Sequence, residues 1–410
     1  MSTHLQKIMI FDTFSRTGGG LSYVKNVTEY LIKKGIRNYR YIFVLNPAIK
    51  KEIENCSKDV EIHYVDKRFE KGGAHGFFGR KHELYRAKKK YSPDIIICMN
   101  QVELKIKDIP VVLFLRNALY FVDFGEQIIR NQSIRQRFRL WYLYKKSLQS
   151  IKNSSICMTA TKSFQEQIIK KVAINKKWIV APFGYNEKTK SKCRRDYSKK
   201  YKILTLQYNF YKGIENAVKV VSLLNGKGYN CKLTITDSVS NIALRKNKQL
   251  MKLISKPEVF VSVDFIGKIS HDELSKVYAE HDIFIFPSVI ESFGHGLLEA
   301  MGNGLPCVVS DILIHREVCG DGVLYAVAGD FHDFFNKVEM LLNDEVMRNE
   351  IGEKGKKRVE RFTWEKHVSI LECAADELLK TRKMISEKNM SKIVKNTYKM
   401  KKVKVQRKSI

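Results

Sequence analysis

Acidic residues are scarce in this sequence: 43 Asp and Glu stand against 74 Lys and Arg, a formal net charge of +31. That imbalance argues against cationic partners and favours polyanions, whether nucleic acid, anionic membrane or phosphate-bearing small molecules. The eight cysteines are scattered, with no CxxC pair and no clustering with histidine. A zinc site or disulfide framework is thereby disfavoured, and free thiols in a reducing compartment are expected. No run of about eighteen apolar residues, the length a spanning helix needs, occurs. The N-terminal MSTHLQKIMIFDTF lacks the basic stretch and apolar core of a secretory signal. The expectation is a cytoplasmic protein, soluble or peripheral on the inner face of a membrane. RRM, KH and helix-turn-helix signatures are missing and the positive charge is spread along the chain, which argues against nucleic acid as the partner. GxxxxGK[ST] is also missing, and Asp123-Phe124-Gly125 spells a kinase triplet without the rest of a kinase.

What is present is alternation. A chain of 410 residues suits two domains. Short apolar runs such as KIMIFDTF, YRYIFVLN, DIIICMN, VVLFLRN, SICMTAT and WIVAPFG read as buried strands. Helical stretches lie between several of them; in LSYVKNVTEYLIKKG, Val24, Val27, Leu31 and Ile32 share one face. Strand–helix alternation predicts parallel sheets. The polar, basic segment around 187–200 interrupts the pattern and reads as a linker, after which it restarts with KILTLQY, CKLTITD, VFVSVDFIG, DIFIFPS and PCVVSD. One helix is predicted around Ile242–Ile254 and another over HDELSKVYAEH. The expected class is α/β, with two Rossmann-like, doubly wound domains facing across a cleft. They span 1–186 and 201–361, followed by a helix at 362–380 that can return to the first domain and a tail at 381–410. In a doubly wound sheet, phosphate and nucleotide ligands bind at the carboxyl edge.

The stretch ESFGHGLLEAMGNGLP, Glu291 to Pro306, sits at such an edge. The strand IFIF ends at Pro287, and a helix is predicted to begin between Gly294 and Leu297, with Glu299 in about its first turn. A glycine-rich turn into a helix presents bare amides and the positive dipole end, which suit a diphosphate. Carboxylates on either side suit sugar hydroxyls. A lone pair of glutamates at this spacing carries little weight, since a capping glutamate and an exposed one give the same pattern.

The surrounding segment gives the pair its meaning. Gly267, Phe286-Pro287-Ser288, Glu291 through Glu299, Ala300-Met301, Gly304-Leu305-Pro306, Ser310-Asp311 and Glu317 follow in an order and spacing that resembles the donor-binding half of the retaining glycosyltransferases of family 4, which have the GT-B fold. The likeness covers some sixty residues. It implies a metal-independent hexosyl transfer from a sugar nucleotide to a glycan or lipid-linked acceptor, in surface polysaccharide or glycoconjugate synthesis, with no cofactor. Rival readings are a nucleotide-sugar epimerase or a phosphorylase of the same architecture. By resemblance Glu291 contacts the transferred sugar and Glu299 the nucleotide ribose. Phe293, Gly294, His295, Gly296 and Leu297 line the donor, and Gly267 and Lys268 lie near its base. A packed or loop role remains the ordinary alternative for His295.

The resemblance also implies a pair of diphosphate-binding cations, an Arg at a strand end and a following Lys-Gly. Lys212-Gly213 fits the second half, but Gln207 stands where the arginine is expected. Gly18, Gly19 and Gly20 resemble the family's first glycine loop across the cleft from the diphosphate; a tight turn explains them equally. Where the family often has a histidine, VVLFLRN ends in Arg116, which can hold a phosphate but cannot act as a base. Finally, Arg130–Lys152 interleaves basic and aromatic residues, as an interfacial membrane helix does, although a helix packed on its own sheet with solvated arginines fits as well. The tail from Lys380 has twelve Lys and Arg against one Glu, so it is either a solvated segment or a second attraction to anionic lipid.

Overall fold

The apolar runs become strands covered on both faces, the arrangement that makes parallel strands read as unbroken hydrophobic segments. Ile95–Cys98 and Val111–Leu115 are buried throughout. The computed structural model describes residues 5–16, 18–35, 39–53, 60–69, 74–99, 106, 108–123, 126–185, 200–207, 209–244 and 247–384. The expected linker at 187–200, apart from its last residue, and the tail beyond 384 lie outside the described residues.

Seven parallel strands build the first lobe: β1 (Gln6–Asp12), β2 (Tyr39–Leu45), β3 (Val60–Tyr64), β4 (Ile95–Cys98), β5 (Val111–Leu115), β6 (Ile156–Thr159) and β7 (Lys177–Val180). Their order is β3-β2-β1-β4-β5-β6-β7. The second lobe has β8 (Tyr201–Thr205), β9 (Cys231–Ile235), β10 (Val263–Phe265), β11 (Ile283–Phe286), β12 (Cys307–Ser310) and β13 (Leu324–Ala326), in the order β10-β9-β8-β11-β12-β13. Strand order reverses between β1 and β4 and between β8 and β11. Each reversal sends the following connections to opposite faces and opens a crevice at the carboxyl ends.

Several elements differ from the sequence expectation. The strand expected over VFVSVDFIG is a helical turn, Pro257–Phe260, followed by the short β10, because Pro257 takes the first helical position, where its fixed φ favours a helix start. The helix expected around Ile242–Ile254 is two, Val239–Leu244 and Lys248–Ile254. Asn247 starts the second by accepting from the Leu250 amide at 2.9 Å. Strand β3 had no sequence signal because most of it is only half-buried.

The last helix spans 364–384 and returns to the first lobe. Glu372 accepts from Lys34 at 3.3 Å and from the Tyr41 hydroxyl at 2.6 Å, Asp376 accepts from Tyr39, and Glu377 pairs with Lys177. At its start His367 is fully buried, with Nδ1 3.0 Å from the Pro182 carbonyl and Nε2 3.1 Å from the Tyr23 hydroxyl. A neutral imidazole satisfies both contacts. Among the described residues no helix is long and apolar enough to cross a membrane.

Burial lowers the pKa of His367 from 6.5 to about 4, and the same cause brings His315 to about 4. Between those values the unfolded chain binds protons that the folded one refuses, so stability rises with pH across this window. The contribution is complete above about pH 6.5 and is lost as pH falls to about 4. Each histidine gives a slope of roughly 1.4 kcal/mol per pH unit inside that window. Urea midpoints measured from pH 7 to 4 are expected to fall. His367→Gln should flatten the slope by about half, and an unchanged slope would remove His367 as a source.

Candidate active site between the lobes

A cavity of about 730 Å³ lies where the carboxyl ends of the central strands of the two sheets meet. Ser15, Met99 and Arg116 enter it just beyond β1, β4 and β5, while Gln207 and Glu291 enter beyond β8 and β11.

On the second lobe, the connection after β8 leads through Lys212 and Gly213 into the helix Ile214–Gly226. Gly213 has φ +63°, and a Cβ there would stand 2.4 Å from the Pro287 carbonyl oxygen. Only glycine tolerates both conditions. This close approach brings the connection against the loop after β11, where the Val289 amide donates to the Tyr211 carbonyl at 3.0 Å. Lys212 consequently meets Glu291 in an ion pair, with its ammonium 4.7 Å from the centre of the Phe286 ring. Burial opposes the lysine charge. The Glu291 carboxylate and Tyr211 more than offset it, so the Lys212 pKa stands above its ordinary value. Gly294, at φ +94°, starts the helix His295–Gly302, whose N-terminus opens on the cavity.

On the first lobe, Gly18–Gly20 are the first turn of the helix Gly18–Lys34 and not a separate loop. Two helix N-termini therefore meet across the cleft: a Cβ on Gly19 would be 3.1 Å from His295 Cδ2. The His295 ring stacks on Phe183, with centroids 4.6 Å apart, and touches Phe293 at 5.4 Å. Arg116 is held by the fully buried Asp12 at 2.9 Å and also donates to the Met99 carbonyl and to Ser15 Oγ. Its Nη1 is buried without a hydrogen bond.

Hydrogen bonds also join the lobes beside the cavity. The Ser292 hydroxyl donates to the Arg116 carbonyl, and Thr161 donates to the Ser292 carbonyl at 3.0 Å. Glu317, on the helix Leu313–Cys319, accepts from the Lys162 and Ser163 amides at 2.6 and 2.7 Å. A carboxylate from one lobe thus caps the helix Lys162–Lys171 of the other, where its charge also meets the positive dipole end.

Of the residues singled out from sequence, Gly18, Gly19, Gly20, Arg116, Gln207, Lys212, Glu291, Phe293, Gly294, His295 and Gly296 all line this cavity. Gly213 shapes the wall from behind, and Leu297 is fully buried in the core. Glu299 is not among the lining residues. It lies in the second helical turn, one turn later than its expected place, and accepts from the Tyr278 hydroxyl at 3.2 Å; the same hydroxyl donates to the Gly296 carbonyl. Gly267 and Lys268 follow β10, two strands along the edge from β8, about 10 Å at normal strand spacing. Sequence reasoning missed Asp12, Ser15, Tyr120, Tyr211 and Ser292. Asp12 and Ser15 were within reach, since Asp12 ends the first strand and Ser15 lies just beyond it, at a carboxyl edge where ligands bind.

Residues 186–358, a range that includes all the strands of the second lobe, match the family model of glycosyl transferases group 1. The capsular polysaccharide biosynthesis glycosyltransferase CapM of Staphylococcus aureus is 30% identical over 151 residues, covering 36% of this chain and 38% of CapM. The chain thus spans well under half the length of this curated relative. Sucrose-phosphate synthase from Thermosynechococcus elongatus superposes with a TM-score of 0.76 at 15% identity, over 92% of this chain and 100% of that one. Anabaena HepE, solved in complex with UDP-glucose, superposes at 0.68 with 14% identity, over 90% and 99%. The fold is GT-B.

Two substitutions test the construction of the site. Gly213→Ala forces a left-handed backbone and a clash with Pro287, and is expected to cost about 1–3 kcal/mol in chemical denaturation; a loss below about 0.5 kcal/mol would contradict the geometry. Glu317→Ala removes a cap worth about 1 kcal/mol and should raise the radius of gyration in small-angle scattering. No change in either quantity would mean that Glu317 does not hold the lobes together.

Proposed function

We propose that this protein is a glycosyltransferase that moves a sugar from a nucleoside-diphosphate sugar to a glycan or lipid-linked acceptor, in the synthesis of a surface polysaccharide or glycoconjugate. The observation that carries this reading is the Lys212–Glu291 pair at the mouth of two facing helix N-termini. Lys212 and the amides at Gly294–Gly296 form an anion site for the diphosphate, with the helix start at Gly18–Gly20 opposite. Glu291, released from Lys212 as the diphosphate arrives, accepts from hydroxyls of the transferred sugar. The nucleoside extends along the carboxyl edge past Gly296 towards Glu299, Gly267 and Lys268, where the Glu299 carboxylate accepts from the ribose.

Gln207 supplies no charge where the family pattern has an arginine, so Lys212 carries more of the leaving-group stabilisation. Arg116 is already neutralised by Asp12 and serves to hold an anionic group of donor or acceptor, since it keeps its proton and cannot be a base. The reading is of retention: the bond from the anomeric carbon to the phosphate oxygen breaks, the acceptor oxygen bonds on the same face, and its proton passes to the departing phosphate oxygen. Preorganised positive potential in a closed cleft lowers this barrier, and Lys212 with the helix N-termini supplies it without calling on a metal ion. CapM acts in capsule synthesis and HepE was solved with UDP-glucose, which supports this substrate class.

Calorimetry with nucleoside diphosphates, followed by turnover with the sugar nucleotide that binds, tests the assignment. Lys212→Met is expected to weaken diphosphate binding tenfold or more. Glu291→Gln removes an anion that competes for Lys212, so affinity should hold or rise while transfer falls about 100-fold. EDTA should leave turnover unchanged, and the product should keep the anomeric configuration of the donor by NMR. Epimerised donor without transfer, or wild-type affinity and turnover in both variants, would overturn the proposal.

A further inference from the structure

The helix Ile134–Asn153 is exposed in an unusual way. Its packed side is Leu140, Ser147, Ser150 and Ile151. On the opposite side Ile134, Phe138, Trp141 and Tyr142 are 83%, 65%, 45% and 41% exposed. At about 100° per residue these four fall within an arc of roughly 100°, turned away from the buried face. The Phe138 and Trp141 rings meet within the stripe, tilted by 30° with centroids 5.6 Å apart, and Ile134 and Tyr142 flank them along the helix.

Cations border the stripe. Arg135, Arg137, Arg139 and Lys145 are exposed, and Lys145 and Lys146 lie over the Trp141 and Tyr142 rings at 5.8 and 5.6 Å. The twenty-residue helix contains no Asp or Glu. An aromatic stripe with arginines and lysines on its margins matches the boundary of an anionic bilayer: the rings sit among the acyl-chain ends, and the cations meet the headgroup phosphates. A protein partner would need an acidic groove of the same shape; an anionic bilayer supplies the complementary charge and the apolar layer together.

We propose that this face docks the protein on the surface of an anionic lipid bilayer. The helix packs on the turn Ala118–Phe121 through Tyr144 and Phe121, rings 6.2 Å apart, and Ala118 and Tyr120 of that turn line the interlobe cavity. Docking therefore sets the first-lobe wall of the cavity beside the lipid surface. If the transferase reading holds, the acceptor is lipid-borne and enters from that side; the docking itself does not depend on that reading.

Full-length protein mixed with phosphatidylglycerol–phosphatidylcholine vesicles provides the test. The combined variant Phe138→Ser, Trp141→Ser, Tyr142→Ser keeps every charge, including those of the basic tail, and is expected to lower vesicle partition at least tenfold at about 0.15 M salt. In the wild type, brominated lipids should quench Trp141, read as the difference from Trp141→Phe. Nucleoside diphosphate affinity should be the same in both proteins, which separates failed docking from a damaged cavity and from failure of the transferase reading. Equal sedimentation of the two proteins, or no Trp141 quenching, would overturn the proposal. So would a lipid-free wild-type dimer that the combined variant dissolves, because the face would then belong to a second copy.

Discussion

The cavity exists because one loop of the second lobe is bonded into the first. Ser292 donates to the Arg116 carbonyl and accepts from Thr161, so the segment between β11 and the helix His295–Gly302 is held from both sides. Glu291, Phe293 and Gly294 are its immediate neighbours in sequence. Their positions relative to Arg116 and Gly18–Gly20 follow from that junction, with the Glu317 cap as a second tie. Each tie is a few directional hydrogen bonds on a polar seam. Such a seam can open and reclose while the two cores stay packed, which is what a substrate-gated cleft requires.

Charge within the cavity is balanced in two separate pairs, Lys212 with Glu291 and Arg116 with Asp12. Removing Arg116 would leave the fully buried Asp12 uncompensated, a loss of about 3–5 kcal/mol. In the proposed donor complex a diphosphate would bring new anionic oxygens to Lys212 and free Glu291 for a neutral, hydroxyl-rich partner. Arg116 keeps its pairing with the buried Asp12, so it faces the cavity with less net charge than Lys212 would have once parted from Glu291.

The first lobe carries two further attachments on different sides. The helix 364–384 crosses back to it through carboxylates that meet Lys34, Tyr39, Tyr41 and Lys177, so the chain passes between the lobes twice. The aromatic face of Ile134–Asn153 points outward beside the same cavity wall. A net charge of +31 attracts polyanions in general, and this face adds an apolar stripe that a soluble polyanion would leave uncovered.

Much of this was legible in the sequence for definite reasons. Continuous apolar runs such as IIIC and VVLFL mean burial on both faces, hence parallel strands, and strand ends in doubly wound sheets are where ligands sit. The family resemblance, laid on those strand ends, reached Arg116, Gln207, Lys212, Glu291 and the glycines of both helix starts. Periodicity failed where the signal was local or faint: half-buried β3, the helical turn begun by Pro257, and the break at Asn247. Sequence alone thus determined the fold class, because that depends on periodicity within one lobe, and it pointed to residues of the two cleft edges through the family resemblance. Only the tertiary structure decided that Lys212 pairs with Glu291, that Asp12 neutralises Arg116, that Glu299 turns to Tyr278, and which face of Ile134–Asn153 is bare. Each of these is a contact or an exposure set by segments far apart in the chain, and neither composition nor spacing encodes the geometry that brings them together.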